Sequence, residues 1–390
     1  RTMKKSMLVL FAIAGGFAVG NLYFIQPLLG QISKDLGTTA VQNGWLVTAI
    51  QLGYAAGIVL LLPLGDVRSR KKFVPVMVTL AGLGQIAIGL SSSYTTLAIA
   101  LFAVGFTTIS GQILVPLTGE LSDDSNRGRN VSFVVSGMII GILGARTISG
   151  LLTDLASWHV TFEIIGVANM ALAWALYRVI PALEPKPQTS YPKLVAGIFT
   201  LMFKNPWVIR TMSINGIGMV IFGAMWTSIT FLLAGPVYNM STTQIGLWGL
   251  VGIVGAIGAR NTGRLIDSGK AELATKIAWL ATAAGMALGA MAEQSLWYLA
   301  AQLILIDAAG QAIGITNQTK LISSFPEFRS RVNAGYVTVN FLGAALGSAL
   351  ATSLWNSAGW AGIQLMGAGL ALLGLWFWVL NRKAIVKADL

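Results

Sequence analysis

The sequence contains no cysteine and a single histidine, His159, among its 390 residues. Without cysteine the chain can form neither a disulfide nor a thiolate centre, and one histidine cannot build a multi-histidine metal site. Charged residues are equally scarce, at 10% of the chain, against the roughly 25% that is typical of soluble domains. These absences argue against an enzyme that uses a nucleophilic cysteine or a metal cluster, and no cofactor is expected.

Apolar residues are abundant instead. They make up 55% of the chain, and the mean hydropathy is +0.72. A helix needs roughly 20 mostly apolar residues to cross a bilayer. Twelve segments meet that requirement: 7–33, 44–65, 74–91, 95–120, 131–153, 160–180, 208–234, 244–266, 273–291, 296–322, 332–355 and 360–381. The sequence therefore predicts an all-α membrane protein with twelve transmembrane helices.

One segment between these helices differs in composition from the others. Residues 181–206 carry five prolines and several lysines, which is typical of a linker. We therefore expect two pseudo-symmetric bundles of six helices, formed by residues 1–180 and 207–390. Because one chain supplies both bundles, a monomer is expected.

The basic residues predict the orientation in the membrane. When alternate loops are assigned to one side, every lysine and arginine falls on that side except Lys34, on the opposite side, and Arg146 and Arg260, inside helices. The positive-inside rule makes the crowded side cytoplasmic. Both termini and the linker are therefore expected in the cytoplasm, with the chain in a bacterial cytoplasmic (inner) membrane. The net charge of +12 then reflects orientation, and nucleic acid is not expected as a partner.

Polar side chains concentrate in the first, fourth, seventh and tenth predicted helices. Polar groups inside a membrane face a bundle interior or a water-filled cavity, so these four helices are expected to surround a central cavity for a small molecule. Side chains that share helical faces there are the candidate substrate-binding residues. They are Tyr23, Gln26, Thr108, Gln112, Asn215, Met219, Phe222, Trp226, Gln311 and Gln318.

Some of these candidates have an alternative interpretation. Met219, Phe222 and Trp226 could be ordinary helix-packing residues. Gln112 and Gln311 could form hydrogen bonds between helices, because polar side chains also hold membrane helices together.

Matched glycine pairs indicate an internal repeat. Gly137 and Gly141 lie in the fifth predicted helix, and Gly343 and Gly347 lie in the eleventh, which is the fifth helix of the second half. Small residues four apart allow two helices to approach closely. We interpret both pairs as structural, and internal repeats of this kind are common in secondary transporters.

The loop after the second predicted helix, PLGDVRSRKKF, resembles the G-x-L-a-D-R-x-G-R-K/R motif of the major facilitator superfamily. The motif is matched at Leu64, Asp66, Arg70 and Lys71. Leu62 and Ser69 replace its two glycines, and Val67 replaces its first arginine. The loop after the eighth helix, GRLIDSGKAE, retains Gly263, Leu265 and Asp267. The resemblance implies the major facilitator fold, with Asp66, Arg70 and Asp267 in gating positions.

Other stretches are similar to the bacterial nucleoside- and drug-efflux branch of that family: NLYFIQPLL, SGQILVPL, GILGARTISG, IDAAGQAIGITNQTK and RSRVNAGY. There are departures. Leu101 stands where efflux members often carry an arginine, and Ala145 and Arg146 occupy the region of a Gly-Pro pair. The resemblance implies a secondary active transporter that exports small organic molecules by proton antiport with alternating access. A uniporter, or a proton-coupled importer of a small polar solute, is the alternative.

Two charges lie deep inside predicted helices. Asp307 is the only carboxylate near the middle of a span. A carboxylate removed from water binds a proton more readily, so Asp307 is the candidate proton-coupling residue, and a structural salt bridge is the alternative. Arg146 could pair with Asp307, bind an anionic substrate group or act as a structural anchor. The expected partners are thus a small-molecule substrate, protons and the lipid bilayer.

Overall fold

The structure is a computed structural model that describes residues 3–255, 257 and 268–386. These residues form helices and connecting turns, and no strand occurs among them. The α-helices are α1 (Lys5–Gly20), α2 (Leu29–Leu36), α3 (Ala40–Leu60), α4 (Leu64–Val67), α5 (Arg70–Leu90), α6 (Tyr94–Thr107), α7 (Gly111–Leu121), α8 (Arg127–Leu155), α9 (Trp158–Val179), α10 (Tyr191–Lys204), α11 (Pro206–Ala234), α12 (Thr242–Leu247), α13 (Ala271–Gly289), α14 (Leu296–Ser324) and α15 (Arg329–Val386).

The predicted class, an all-α membrane protein, is confirmed. In the described ranges, eight helices are long and apolar enough to cross a membrane, and two shorter apolar helices cover Lys5–Gly20 and Thr242–Gly255. The longest helix, α15, holds the two predicted spans 332–355 and 360–381. Gly359 separates them with φ 65° and ψ −173°, a backbone conformation that glycine tolerates far better than other residues.

Among the described residues, several predicted spans are not continuous α-helices, and two of the breaks lie at predicted site residues. The first span is interrupted between α1 and α2, where Pro27 lacks the amide hydrogen that a helix interior needs, and Gln26–Leu28 form a 3₁₀ turn. The fourth is interrupted between α6 and α7, where the Thr107 hydroxyl donates to the carbonyl of Ala103 at 2.8 Å. Hydroxyl bonds of this kind compete with helix geometry. The helical stripes predicted through Gln26 and Thr108 therefore do not exist as regular faces.

The predicted linker contains a helix. Residues 191–204 form α10, because the prolines of the segment lie outside the helix interior. Pro192 is the second residue of α10 and Pro206 is the first of α11, and proline is tolerated in the first turn of a helix.

The chain divides into two compact units. The first unit holds Arg1–Val195 and Met240–Leu247, and the second holds Ala196–Asn239 and Trp248–Leu390. The sequence did not predict that residues 240–247 would pack with the first unit.

Glycines bring helices into close contact within each unit. A Cβ atom on Gly141 of α8 would lie 2.2 Å from the carbonyl oxygen of Gly16 in α1. In the second unit, a Cβ on Gly347 of α15 would lie 1.9 Å from the carbonyl oxygen of Val220 in α11. Only glycine fits at such contacts, so the structural role predicted for the glycine pairs is confirmed.

Candidate functional site

In the first unit, Arg146 meets two predicted substrate-binding residues. Its side chain is buried, and its Nε donates to Oε1 of Gln26 at 2.7 Å. The guanidinium group also lies over the Tyr23 ring, 4.7 Å from the ring centroid, which is a cation–π geometry. The break between α1 and α2 places Tyr23 and Gln26 beside α8. The result is a buried cation held by an amide and an aromatic ring.

Gln112 is half-buried and bonds to a residue that the sequence analysis missed. Its Nε2 donates to the hydroxyl of Tyr54 at 3.3 Å. Tyr54 lies on α3, in the second predicted span, which was not among the four polar helices. This contact fits the alternative interpretation, in which Gln112 joins two helices.

Thr108 lies in a buried polar network. Its hydroxyl donates to the carbonyl of Ala18 at 2.5 Å and accepts from Nδ2 of Asn21 at 3.1 Å. Asn21 also accepts from Gln85 at 3.0 Å and donates to Asn169 at 3.0 Å. The network joins α1, α5, α9 and the break before α7. Thr108 therefore links helices here, and its contact with substrate stays a prediction.

A related network lies in the second unit. Gln302 of α14 donates to Oε1 of Gln364 at 2.6 Å, and Gln364 donates to the hydroxyl of Ser228 at 2.9 Å. Both glutamines are fully buried. This network joins the first, fourth and sixth helices of the predicted second half. The Asn21 network joins the helices at the same three positions of the first half. This correspondence supports the internal repeat.

The second unit also contains a cluster of amide groups and a phenol. Nδ2 of Asn215 donates to Oδ1 of Asn340 at 2.7 Å, and the hydroxyl of Tyr336 donates to the carbonyl of Gly314 at 3.1 Å. A Cβ on Gly314 would lie 4.0 Å from Oδ1 of Asn215, so these groups surround the same turn of α14. Asn215 was predicted from sequence, whereas Tyr336 and Asn340 were not. Tyr336 ends the RSRVNAGY stretch, and that was the only available signal.

The aromatic candidates on α11 differ in accessibility. Met219 and Phe222 are half-buried, but only 3% of Trp226 is exposed. The ring centroids of Phe222 and Trp226 lie 6.5 Å apart, and the angle between the ring planes is 61°. This is an edge-to-face arrangement that stabilises packing. Trp226 thus fits the packing alternative, and Met219 and Phe222 remain candidates for substrate contact.

The remaining candidates lie on α14. Asp307 is the twelfth residue of this 29-residue helix and is partly exposed. A Cβ on Gly255 would lie 2.6 Å from Cβ of Asp307, so the neighbouring helix runs against this turn. Gln311 is half-buried, one turn further along. Gln318 donates from Nε2 to Oδ1 of Asn333 at 2.8 Å. Within the described parts of the chain, Asp307 is the only carboxylate in the middle of a span.

The predicted gating residues are only partly covered by the structure. Arg70, at the start of α5, forms an ion pair with Glu120 at the end of α7, a partner that the sequence did not predict. Asp66 is half-buried at the end of α4. Asp267 and Arg260 lie outside the described residues. The gating roles stay predictions.

Residues 240–247 are held on α8 by a set of hydrogen bonds that we call the α8–α12 clasp. Oδ1 of Asp154 accepts from the hydroxyl of Thr242 at 2.6 Å, and Oδ2 accepts from the backbone amide of Thr243 at 2.9 Å. The hydroxyl of Thr147 donates to the carbonyl of Gly246 at 2.9 Å. Asp154 thus caps the first turn of α12, where amides lack helical partners.

Asp154→Asn is expected to weaken the clasp, because an amide replaces the charged acceptor of two hydrogen bonds. We expect a loss of about 1 kcal/mol, because the amide nitrogen of asparagine cannot accept one of the two hydrogen bonds, seen as a lower thermal unfolding midpoint in detergent. Asp124→Asn is the control, since the Asp124–Arg127 pair at 2.8 Å is highly exposed and such pairs contribute little. Equal midpoints for the two variants would contradict the capping role.

Comparisons with known proteins agree with this architecture. A family model described as the Major Facilitator Superfamily matches residues 11–326. The uncharacterized transporter YgaY of Escherichia coli O157:H7 is 37% identical over 384 residues, which cover 96% of this chain and 95% of that protein. The probable transporter SCO4007 of Streptomyces coelicolor is 31% identical, and the match covers 95% of this chain and 86% of that protein.

Among solved structures, the nucleoside transporter NupG has the same fold. The two structures superpose with a TM-score of 0.76 and a sequence identity of 14%. The superposition covers 98% of this chain and 99% of the NupG chain. The likeness confirms the fold of two six-helix halves. The family match covers most of the chain, and the relatives are named as transporters rather than enzymes. The chain therefore belongs to the major facilitator superfamily and is a multi-pass membrane transporter of small molecules.

Proposed function

We propose that this transporter exports small organic molecules in exchange for protons. The observation that carries the proposal is the position of Asp307, a half-buried aspartate in the middle of a membrane-spanning helix. Ionisable groups in such positions are energetically costly and are characteristic of proton and substrate pathways.

The chemistry of exchange follows from competition for one carboxylate. A proton neutralises Asp307, whereas a cationic or hydrogen-donating group of a substrate favours its charged form. Binding of one therefore favours release of the other. If the site is exposed alternately to the two sides of the membrane, proton entry drives substrate exit. Arg146 is assigned to the same coupling step as a permanently positive group.

The substrate contacts are proposed on both units. In the first unit they are Tyr23, Gln26, Thr108 and Gln112. In the second unit, Asn215, Gln311 and Gln318 supply amides, while Met219 and Phe222 supply the apolar wall and the buried Trp226 packs against Phe222. A few polar anchors on an apolar surface are typical of small-molecule sites. The amide groups can accept and donate hydrogen bonds to a neutral polar molecule, and the carboxylate of Asp307 can bind a cation.

The direction of export assumes that the lysine- and arginine-rich side is cytoplasmic, in a bacterial inner membrane. Because the chain has no cysteine, Ser92→Cys provides a unique label at an exposed position between α5 and α6, on the side opposite the basic loops. An impermeant maleimide added to intact cells should modify it. Lack of modification, with full modification after lysis, would reverse the assigned orientation.

The proposal is tested by finding a substrate and following its exchange. Purified protein would be screened by thermal shift against nucleosides, sugars and cationic drugs, and each stabilising compound would enter a counterflow assay in proteoliposomes. Export by proton antiport predicts counterflow of at least one compound and its accumulation when a pH gradient is imposed. Counterflow without a response to the gradient would favour the uniporter, which the apolar Leu101 also favours. Accumulation in the same direction as the protons would favour a symporter.

A further inference from the structure

The helix α10 presents an aromatic surface that the protein does not cover. Phe199 and Phe203 lie four residues apart, and 42% and 66% of their surfaces are exposed. Residues four apart share one side of a helix. A second side of α10, about 100° away around the helix axis, is buried through Leu194, Ile198 and Met202. α10 is thus apolar on two sides, and only one of them packs on the protein.

Contacts within the second unit fix the direction in which the phenylalanines point. A Cβ on Gly197 would lie 3.1 Å from Cδ of Arg331, and one on Gly335 would lie 3.1 Å from Sδ of Met202. The stem of Arg331 and the backbone at Gly335 therefore receive the buried side of α10. Because the helix is held on this side, Phe199 and Phe203 point away from the protein.

The position of α10 in the chain identifies what covers the phenylalanines. Only Asn205 separates its last residue, Lys204, from the first residue of the spanning helix α11. The end of α10 therefore lies within a few residues of the point where α11 enters the membrane. A helix that is amphipathic and runs along that boundary meets headgroups and the upper parts of acyl chains.

The charges of α10 indicate the kind of lipid. The helix carries Lys193 and Lys204, both exposed, and no acidic residue. Arg210 follows, also exposed, one and a half turns into α11. Around the helix axis the lysines lie to one side of the phenylalanines, as expected when aromatic rings enter the bilayer and ammonium groups stay at the phosphates. Basic groups beside a membrane attract anionic lipids.

We propose that α10 is an interfacial helix that binds the surface of an anionic bilayer, with Phe199 and Phe203 in the boundary between headgroups and acyl chains and with Lys193 and Lys204 at lipid phosphates. The ligand class is an anionic phospholipid. The proposal is independent of the transported substrate and of proton coupling.

Spin labels at unique cysteines test the depth of α10. Phe203→Cys places a label on the aromatic side, and Thr200→Cys places a matched label on an exposed position about 60° away around the helix. Both proteins would be placed in nanodiscs that contain phosphatidylglycerol, and collisions with oxygen and with a water-soluble nickel complex would be compared. The label at position 203 should lie roughly 5–10 Å inside the boundary, and the label at position 200 should collide mainly with the nickel complex.

Lipid charge is tested in the same system. The first experiment adds Lys193→Gln and Lys204→Gln to the Phe203→Cys protein, and it should reduce the depth of the label. The second replaces phosphatidylglycerol in the nanodisc with phosphatidylcholine, and it should have the same effect. Phe199→Cys replaces Phe203→Cys if that variant does not fold, judged by its unfolding midpoint. Equal nickel accessibility at positions 203 and 200 would overturn the proposal. Dipolar broadening between labels would also overturn it, because a second copy of the chain would then cover the phenylalanines.

Discussion

Asp307→Asn is expected to abolish substrate accumulation driven by a pH gradient, with uptake falling to that of protein-free liposomes. Asparagine keeps the shape and the hydrogen-bonding capacity of the side chain, but it cannot exchange a proton near neutral pH. Because asparagine has almost the same size as aspartate, it should fit at this half-buried position against the neighbouring helix. The transporter should still bind substrate and still catalyse counterflow, because neither process requires net proton movement.

The matched control is Glu163→Gln, which removes a carboxylate near the start of the spanning helix α9 rather than in the middle of a span. Its coupled transport should match that of the wild type. Both variants must have thermal midpoints near that of the wild type for the comparison to hold. Full pH-driven accumulation by Asp307→Asn would assign Asp307 a structural role and would remove the basis for proton coupling.

Gly141→Ala should destabilise the first unit strongly. A Cβ at this position would lie 2.2, 2.5 and 2.6 Å from the O, Cα and C atoms of Gly16. These are backbone atoms, so the contact can be relieved only by separating α1 from α8. Overpacking of a tight core typically costs 1–3 kcal/mol and occasionally more, and we expect about 3 kcal/mol here because no side chain can move aside.

Gly144→Ala is the matched control for Gly141→Ala, since it adds the same methyl group to the same helix less than one turn away. A Cβ on Gly144 would meet no atom within 4 Å. Alanine is favoured over glycine in helices by up to about 1 kcal/mol, so Gly144→Ala should leave stability unchanged or raise it. Thermal unfolding in detergent measures both variants. Equal destabilisation by the two would show that helix propensity, rather than the Gly16 contact, determines the outcome.

The features that the sequence predicted are those that depend on local composition. The spans follow from apolar runs, and the glycine pairs follow from spacing on a helix. Tyr23 and Gln26 were predicted on one helical face and Arg146 was selected separately, and the structure brings the three together. Their contact depends on the break at Pro27, which turns the chain so that both side chains reach α8. Periodicity assumes an unbroken helix and could not predict this turn.

Other features depend on partners distant in the chain. Tyr54 is an ordinary residue of an apolar helix until Gln112 lies beside it. Asn340 becomes part of the candidate site only through Asn215, 125 residues away. The packing of residues 240–247 on α8 depends on Asp154 and on the glycine at position 150, where a Cβ would lie 2.2 Å from the carbonyl of Thr242. No local pattern carries that information, because each contact arises from tertiary packing.

The most direct test of proton-coupled export is a measurement of proton movement itself. Proteoliposomes loaded with a pH-sensitive dye would receive a compound that stabilises the purified protein in the thermal-shift screen, with no gradient imposed. Proton antiport predicts a pH change of the lumen that accompanies transport of the compound and is absent in Asp307→Asn. Transport of the compound by the wild type with no change in lumenal pH would contradict it.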